Sequence, residues 1–215
     1  MICRVPLVNL SFFPMKHFLP LSALILTCFS GSLRAADSPT LLAEYDFEKI
    51  PAYVPNWGAG LGSTYKPATG WKAPFKVSLD QENPHSGDNS LRFELLEPSD
   101  KEKIVHSPAI KVEPADGERK VRVRLFARAT GFGEKGAGIR ILERDEAGAS
   151  IRLLGGEKTL IPVPESPDWV ELDAEGVLHS RTASISFMVV AYTEEAPATL
   201  WIDDVSIELL PAVTP

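Results

Sequence analysis

Past the first 36 residues the apolar positions recur in short runs of alternation, and no stretch carries the three-and-four spacing of an amphipathic helix. The clearest run is Val121-Arg-Val-Arg-Leu-Phe-Ala-Arg128. Val121, Val123, Leu125 and Ala127 fall on one face, and Arg122, Arg124, Phe126 and Arg128 on the other. In Ala183 to Tyr192 one face carries Ile185, Phe187, Val189 and Ala191, and the opposite face ends at Tyr192. Both faces are apolar-rich there, as in a central strand. Further strands are expected over 41–48, 75–79, 90–95, 104–106, 109–112, 138–143, 150–154 and 169–173. Turn residues separate them, most plainly His85-Ser-Gly-Asp-Asn89 and Asp145-Glu-Ala-Gly148. Pro162–Pro167 reads as a connection, and Gly176–His179 as a turn. About ten short strands with such turns predict an all-β fold, an antiparallel two-sheet jelly-roll β-sandwich.

The last run, Ala198 to Leu210, breaks its own rule. Its apolar residues are even-numbered up to Ile202 and odd-numbered from Val205. A strand changes face only by admitting an extra residue, so a bulge is expected at Asp203-Asp204. Carboxylates inside an apolar strand must be hydrogen-bonded, paired with a cation or bound to a metal.

Leu41-Leu-Ala-Glu-Tyr-Asp-Phe-Glu48, the Ser-Gly turn before Ser90-Leu-Arg, and Asp203-Asp-Val appear in that order along the chain. Together they resemble the secreted jelly-roll carbohydrate-binding modules attached to cellulases and xylanases, a galactose-binding-like sandwich, over most of residues 41–210. The resemblance implies a structural calcium held by Glu48 and the Asp203-Asp204 pair, with carbonyls from the 85–88 turn. It also implies a polysaccharide or oligosaccharide partner and no catalysis.

Between Ile50 and Phe75 the alternation disappears among prolines and glycines, and Tyr53, Trp57, Tyr65 and Trp71 stand there. A loop of that length rich in aromatics suits sugar recognition, because sugar C–H faces stack on flat rings. We expect these four to supply the aromatic half of a binding site, and the face with Arg122, Arg124, Phe126 and Tyr192 the polar half. Burial of the same rings at one end of the core is the plainer alternative.

Arg122, Arg124 and Arg128, with Arg140 and Arg152 as possible neighbours, would favour an anionic glycan if unpaired. Pairing with Glu94, Glu143 or Glu171 across strands is the competing and preferred reading. Glu171-Leu-Asp-Ala-Glu175 looks like the signature of laminarinase-type glycoside hydrolases, which makes Glu171 and Glu175 the residues of an enzymatic alternative. An envelope or adhesion protein that keeps the fold without binding sugar is the other.

Lys16 and His17 followed by the apolar run Phe18–Phe29 and the small residues at Ala35-Ala36 predict a signal peptide over 1–35, with Met15 an alternative start. A single domain over 37–210 follows, secreted or periplasmic. Cys28 raises a lipoprotein alternative, but Thr27 suits it poorly. That apolar run is too short for a membrane span. Residues 1–35 hold Arg4, Lys16 and Arg34 and no acid, so the remainder carries 19 basic and 29 acidic residues. This balance disfavours nucleic acid as a partner. Both cysteines lie in the leader, so the domain has no disulfide.

Overall fold

A computed structural model describes residues 38–48, 58–59, 75–113, 117–133, 136–154, 159–193 and 197–211. Every regular element among them is a strand: β1 (Thr40–Tyr45), β2 (Gly58–Ala59), β3 (Phe75–Asp80), β4 (Ser90–Leu95), β5 (Ser99–His106), β6 (Ile110–Lys111) and β7 (Arg119–Thr130), followed by β8 (Ala137–Arg144), β9 (Ser150–Leu154), β10 (Ile161–Val163), β11 (Ser166–Leu178), β12 (Ser184–Thr193) and β13 (Ala198–Leu210). They form two antiparallel sheets. The first runs β11-β7-β13-β4-β3, with β1 beside the far half of β13; the second runs β10-β8-β12-β5-β2, with β6 on β12 and β9 on β8. The protein is a jelly-roll sandwich.

The alternation of β7 explains the first sheet. Val121, Val123, Leu125, Ala127 and Ala129 are buried against the core, while the even-numbered residues between them stay part-exposed. From the second sheet Ile139, Ile141, Ile185, Phe187 and Val189 are wholly buried. Each such side chain contributes about 1.5–3 kcal/mol on leaving water, and the single contiguous cluster gives the sandwich its rigidity.

The bulge falls at the expected place. Asp203 lies opposite Phe126 and Ser206 opposite Arg124, so two residues of β13 face one of β7. Asp204 takes the left-handed backbone, φ 47°, that lets Val205 return to the core.

Several boundaries differ from expectation: β1 stops at Tyr45 short of 48, and β5 begins at Ser99 well before 104. The strand beginning near Trp169 does not turn at Gly176; β11 pairs with β7 through Leu178. Gly176 is kept small because Leu154 of β9 fills the space a side chain would need. The proline-rich connection also contains β10, whose Ile161 and Val163 are buried.

Candidate functional site

Strand pairing decides which candidate residues share a surface. Arg122, Arg124, Phe126 and Arg128 project from the outer face of the first sheet. Tyr192 belongs to β12, in the second sheet. The proposed polar half of one site is therefore divided between the two sheets. Alternation along β7 and β12 told which side each residue takes, but not which sheet the strand enters.

On the first sheet most of the positive charge is neutralised. Arg122 forks onto Asp173 of β11, with Nε 3.0 Å from both carboxylate oxygens. Arg124 reaches Glu208 at 2.7 Å, and Arg92 reaches Glu94 at 2.8 Å. Arg140 and Arg152 lie in the second sheet, paired with Glu102 and Glu143. Phe126 lies under the imidazole of His85, ring centroids 3.5 Å apart.

That histidine arrives on the turn between β3 and β4, which acids hold from two sides. Asp203, wholly buried, accepts the backbone N–H groups of His85 at 3.0 Å and Ser86 at 3.3 Å. Burial pushes its carboxyl above the usual range, and the amides of Ser86, Asp204 and His85 oppose that rise. Asp204 meets His85 Nδ1 at 2.6 Å and accepts from Ser86 Oγ at 2.8 Å. On the other flank Glu48 Oε1 accepts the N–H groups of Asp88 and Asn89, both at 2.9 Å. Gly87 (φ 57°) lies so close to Glu48 that a Cβ would strike its carboxylate.

The three acids expected to hold calcium thus meet at one turn through N–H and O–H donors. Among the described residues no group of three or more His, Cys, Asp or Glu is placed to hold a metal ion. Among the described residues Glu48 Oε2 has one long contact, 3.4 Å from Asn89 Nδ2, which leaves lone pairs that a hard cation could use.

Glu171, Asp173 and Glu175 do share one face of β11, as period two requires, opposite Phe126, Arg124 and Arg122. Arg122 holds the carboxyl of Asp173, the middle acid, below its usual range. All three are exposed on the outer side of an edge strand.

The second sheet carries a polar group that the sequence did not announce. Tyr192 Oη donates to Glu102 Oε1 at 2.6 Å, and Arg140 forms an ion pair with the same carboxylate. Burial, followed by the bond to Glu102, pushes the Tyr192 phenol up. His106, Met188 and Arg140 sit side by side across β5, β12 and β8. Gly58 of β2 pairs with His106. Tyr53, Trp57, Tyr65 and Trp71 lie outside the described residues, but β2 runs beside β5 directly after position 57. The signal was the spacing of Glu102, Arg140 and Tyr192 on three strands, visible only once their pairing is known.

No protein-family model and no curated protein matches the sequence. Solved structures do. The CBM22-1 xylan-binding domain of Paenibacillus barcinonensis Xyn10C superposes with a TM-score of 0.53 at 15% identity, covering 83% of this chain and 100% of that one. An arabinose-bound α-L-arabinofuranosidase, MgGH51, gives 0.53 at 18% identity over 79% of this chain and 27% of its own. The enzymatically active domain of tailspike protein 4 from bacteriophage CBA120 gives 0.52 at 12% identity, over 74% and 20%. In the two enzymes the match spans only about a quarter and a fifth of the chain. What is shared at these identities is the jelly roll.

Proposed function

We propose that this jelly roll is a non-catalytic carbohydrate-binding module that takes a poly- or oligosaccharide on the outer side of its second sheet. The observation that carries the reading is the Glu102–Arg140–Tyr192 group on a rigid sheet, beside the strand that follows Trp57. Sugar recognition needs fixed polar partners next to aromatic faces, and this group supplies the polar partners. The full-length likeness to a xylan-binding domain supports the same class. Export by the 1–35 leader and a calcium ion at the Glu48–Asp203–Asp204 clamp belong to the proposal.

Screening on a glycan array, then titrating the best neutral oligosaccharide, tests it. Glu102→Gln and Tyr192→Phe should each weaken binding while the melting curve stays cooperative. Wild-type affinity in both removes this face from the site. Release of reducing ends, lost in Glu171→Gln, would instead make the protein an enzyme.

A further inference from the structure

Among the arginines on the outer face of the first sheet, Arg128 stands apart. Arg92, Arg122 and Arg124 each hold a carboxylate. Arg128 has none among the described residues; its Nε, like those of Arg92 and Arg124, is sealed from solvent without a hydrogen-bond partner. Its guanidinium carbon lies 4.1 Å from the ring centroid of Trp201 and 5.2 Å from that of Trp169. Both rings are fixed. The Trp201 indole N–H donates to the buried carboxylate of Asp80, and that of Trp169 to the Asn83 carbonyl at 3.3 Å. All three side chains remain part-exposed.

A cation held between two rings gains from their negative faces, yet no carboxylate touches it among the described residues to offset its desolvation. Burial accordingly pushes Arg128 below its ordinary pKa; Asp80 opposes this and Arg92 adds to it. Asp80 cannot serve as the missing partner. It is already engaged by Trp201, Arg92 and the Glu82 amide. A planar anion arriving from solvent meets a guanidinium fork that no internal group occupies, with indole walls on either side.

We infer that Trp169, Arg128 and Trp201 form a second binding site, separate from the one on the other sheet, for a carboxylate-bearing sugar, a uronate. The carboxylate pairs with the Arg128 fork, and the pyranose ring lies against the exposed part of an indole. A neutral sugar would leave the guanidinium as it is and gains little here.

The two indoles report on the site directly. With 15N-labelled protein, trigalacturonate should move the indole N–H signals of Trp169 and Trp201, and 0.5 M NaCl should weaken its binding several-fold. Xylohexaose should leave both signals in place. Arg128→Gln should lower trigalacturonate affinity about tenfold or more, the scale of a charge-assisted pair. Should that variant not fold, Arg128→Lys carries the test: it keeps the charge, loses the fork and should bind several-fold more weakly. Indole signals of Trp169 and Trp201 that stay fixed in millimolar trigalacturonate, or wild-type affinity in a folded Arg128 variant, overturn the assignment. The Glu102 and Tyr192 variants report on the second sheet, so either site can fail alone.

Discussion

The imidazole of His85 lies flat over the ring of Phe126, centroids 3.5 Å apart and 12° from parallel. One residue comes from a turn, the other from the middle of β7. The contact occupies a ring that the sequence places in the polar half of the binding site. Phe126→Ala should lower the free energy of unfolding by about 1–3 kcal/mol, from lost burial and stacking. It should leave affinity for a neutral glycan on the second sheet unchanged. Urea denaturation alongside a sugar titration checks both.

The 85–89 turn should respond to calcium through Glu48. A cation bound only by the folded state adds about 2.7 kcal/mol at a hundredfold excess over its Kd. Melting temperature is expected to climb with calcium, and Glu48→Ala to abolish the climb. Chelator-insensitive melting would leave the amide donors as the whole of the clamp.

Trp57→Ala should cost about 2 kcal/mol or more in glycan affinity, as a central aromatic anchor does. Trp71→Ala is expected to cost less. Calorimetric titration of folded variants measures this, and unchanged affinity in both takes the 50–75 segment out of the site.

Acid should weaken the first sheet through Asp80. Burial acts to raise its pKa, but the Glu82 amide, the Trp201 indole and the charges of Arg92 and Arg128 hold it below the usual range. A folded pKa below the unfolded value of about 3.9 means stability gained above that pH and lost as pH falls through the folded pKa. Asp80→Asn should be the less stable protein at pH 7, and the gap from wild type should narrow below about pH 4. A gap constant from pH 7 to 2.5 would sink the linkage. Asp203, with its pKa raised, acts in the opposite sense: its contribution declines as pH rises from about 3.9 through the folded value.

The fold was legible where side-chain alternation is strict and the two faces differ. In β7 every odd residue from 121 to 129 is buried, and in β13 the change of parity located the bulge at Asp203-Asp204. The clamp was half legible. Glu48 and the two aspartates do converge on the Ser-Gly turn, but period and spacing cannot say whether an amide or a cation meets them. The arginines were legible only as a set. Asp173 and Glu208 lie on strands beside β7, so the pairing of Arg122 and Arg124, and the lack of such a partner for Arg128 among the described residues, depend on register. Tyr192 was misplaced for the same reason. A β-strand records its two sides locally and its neighbours not at all. The sequence offers Glu143 as a cross-strand arginine partner and it does bind Arg152, but its full burial and its bonds to the His179 amide and Thr182 were not legible.

Thr40 of β1 lies directly across from Leu209 of β13. The first and last strands therefore offer neighbouring ends on one flank, about 5 Å apart along a ladder. A ring closed there by a few glycines and serines, and cut open at the exposed tip around Ala147, should keep every strand pair it has now. By the same geometry the domain can be spliced as a unit into a surface loop of another protein. It would then hang from one corner by two adjacent strand ends.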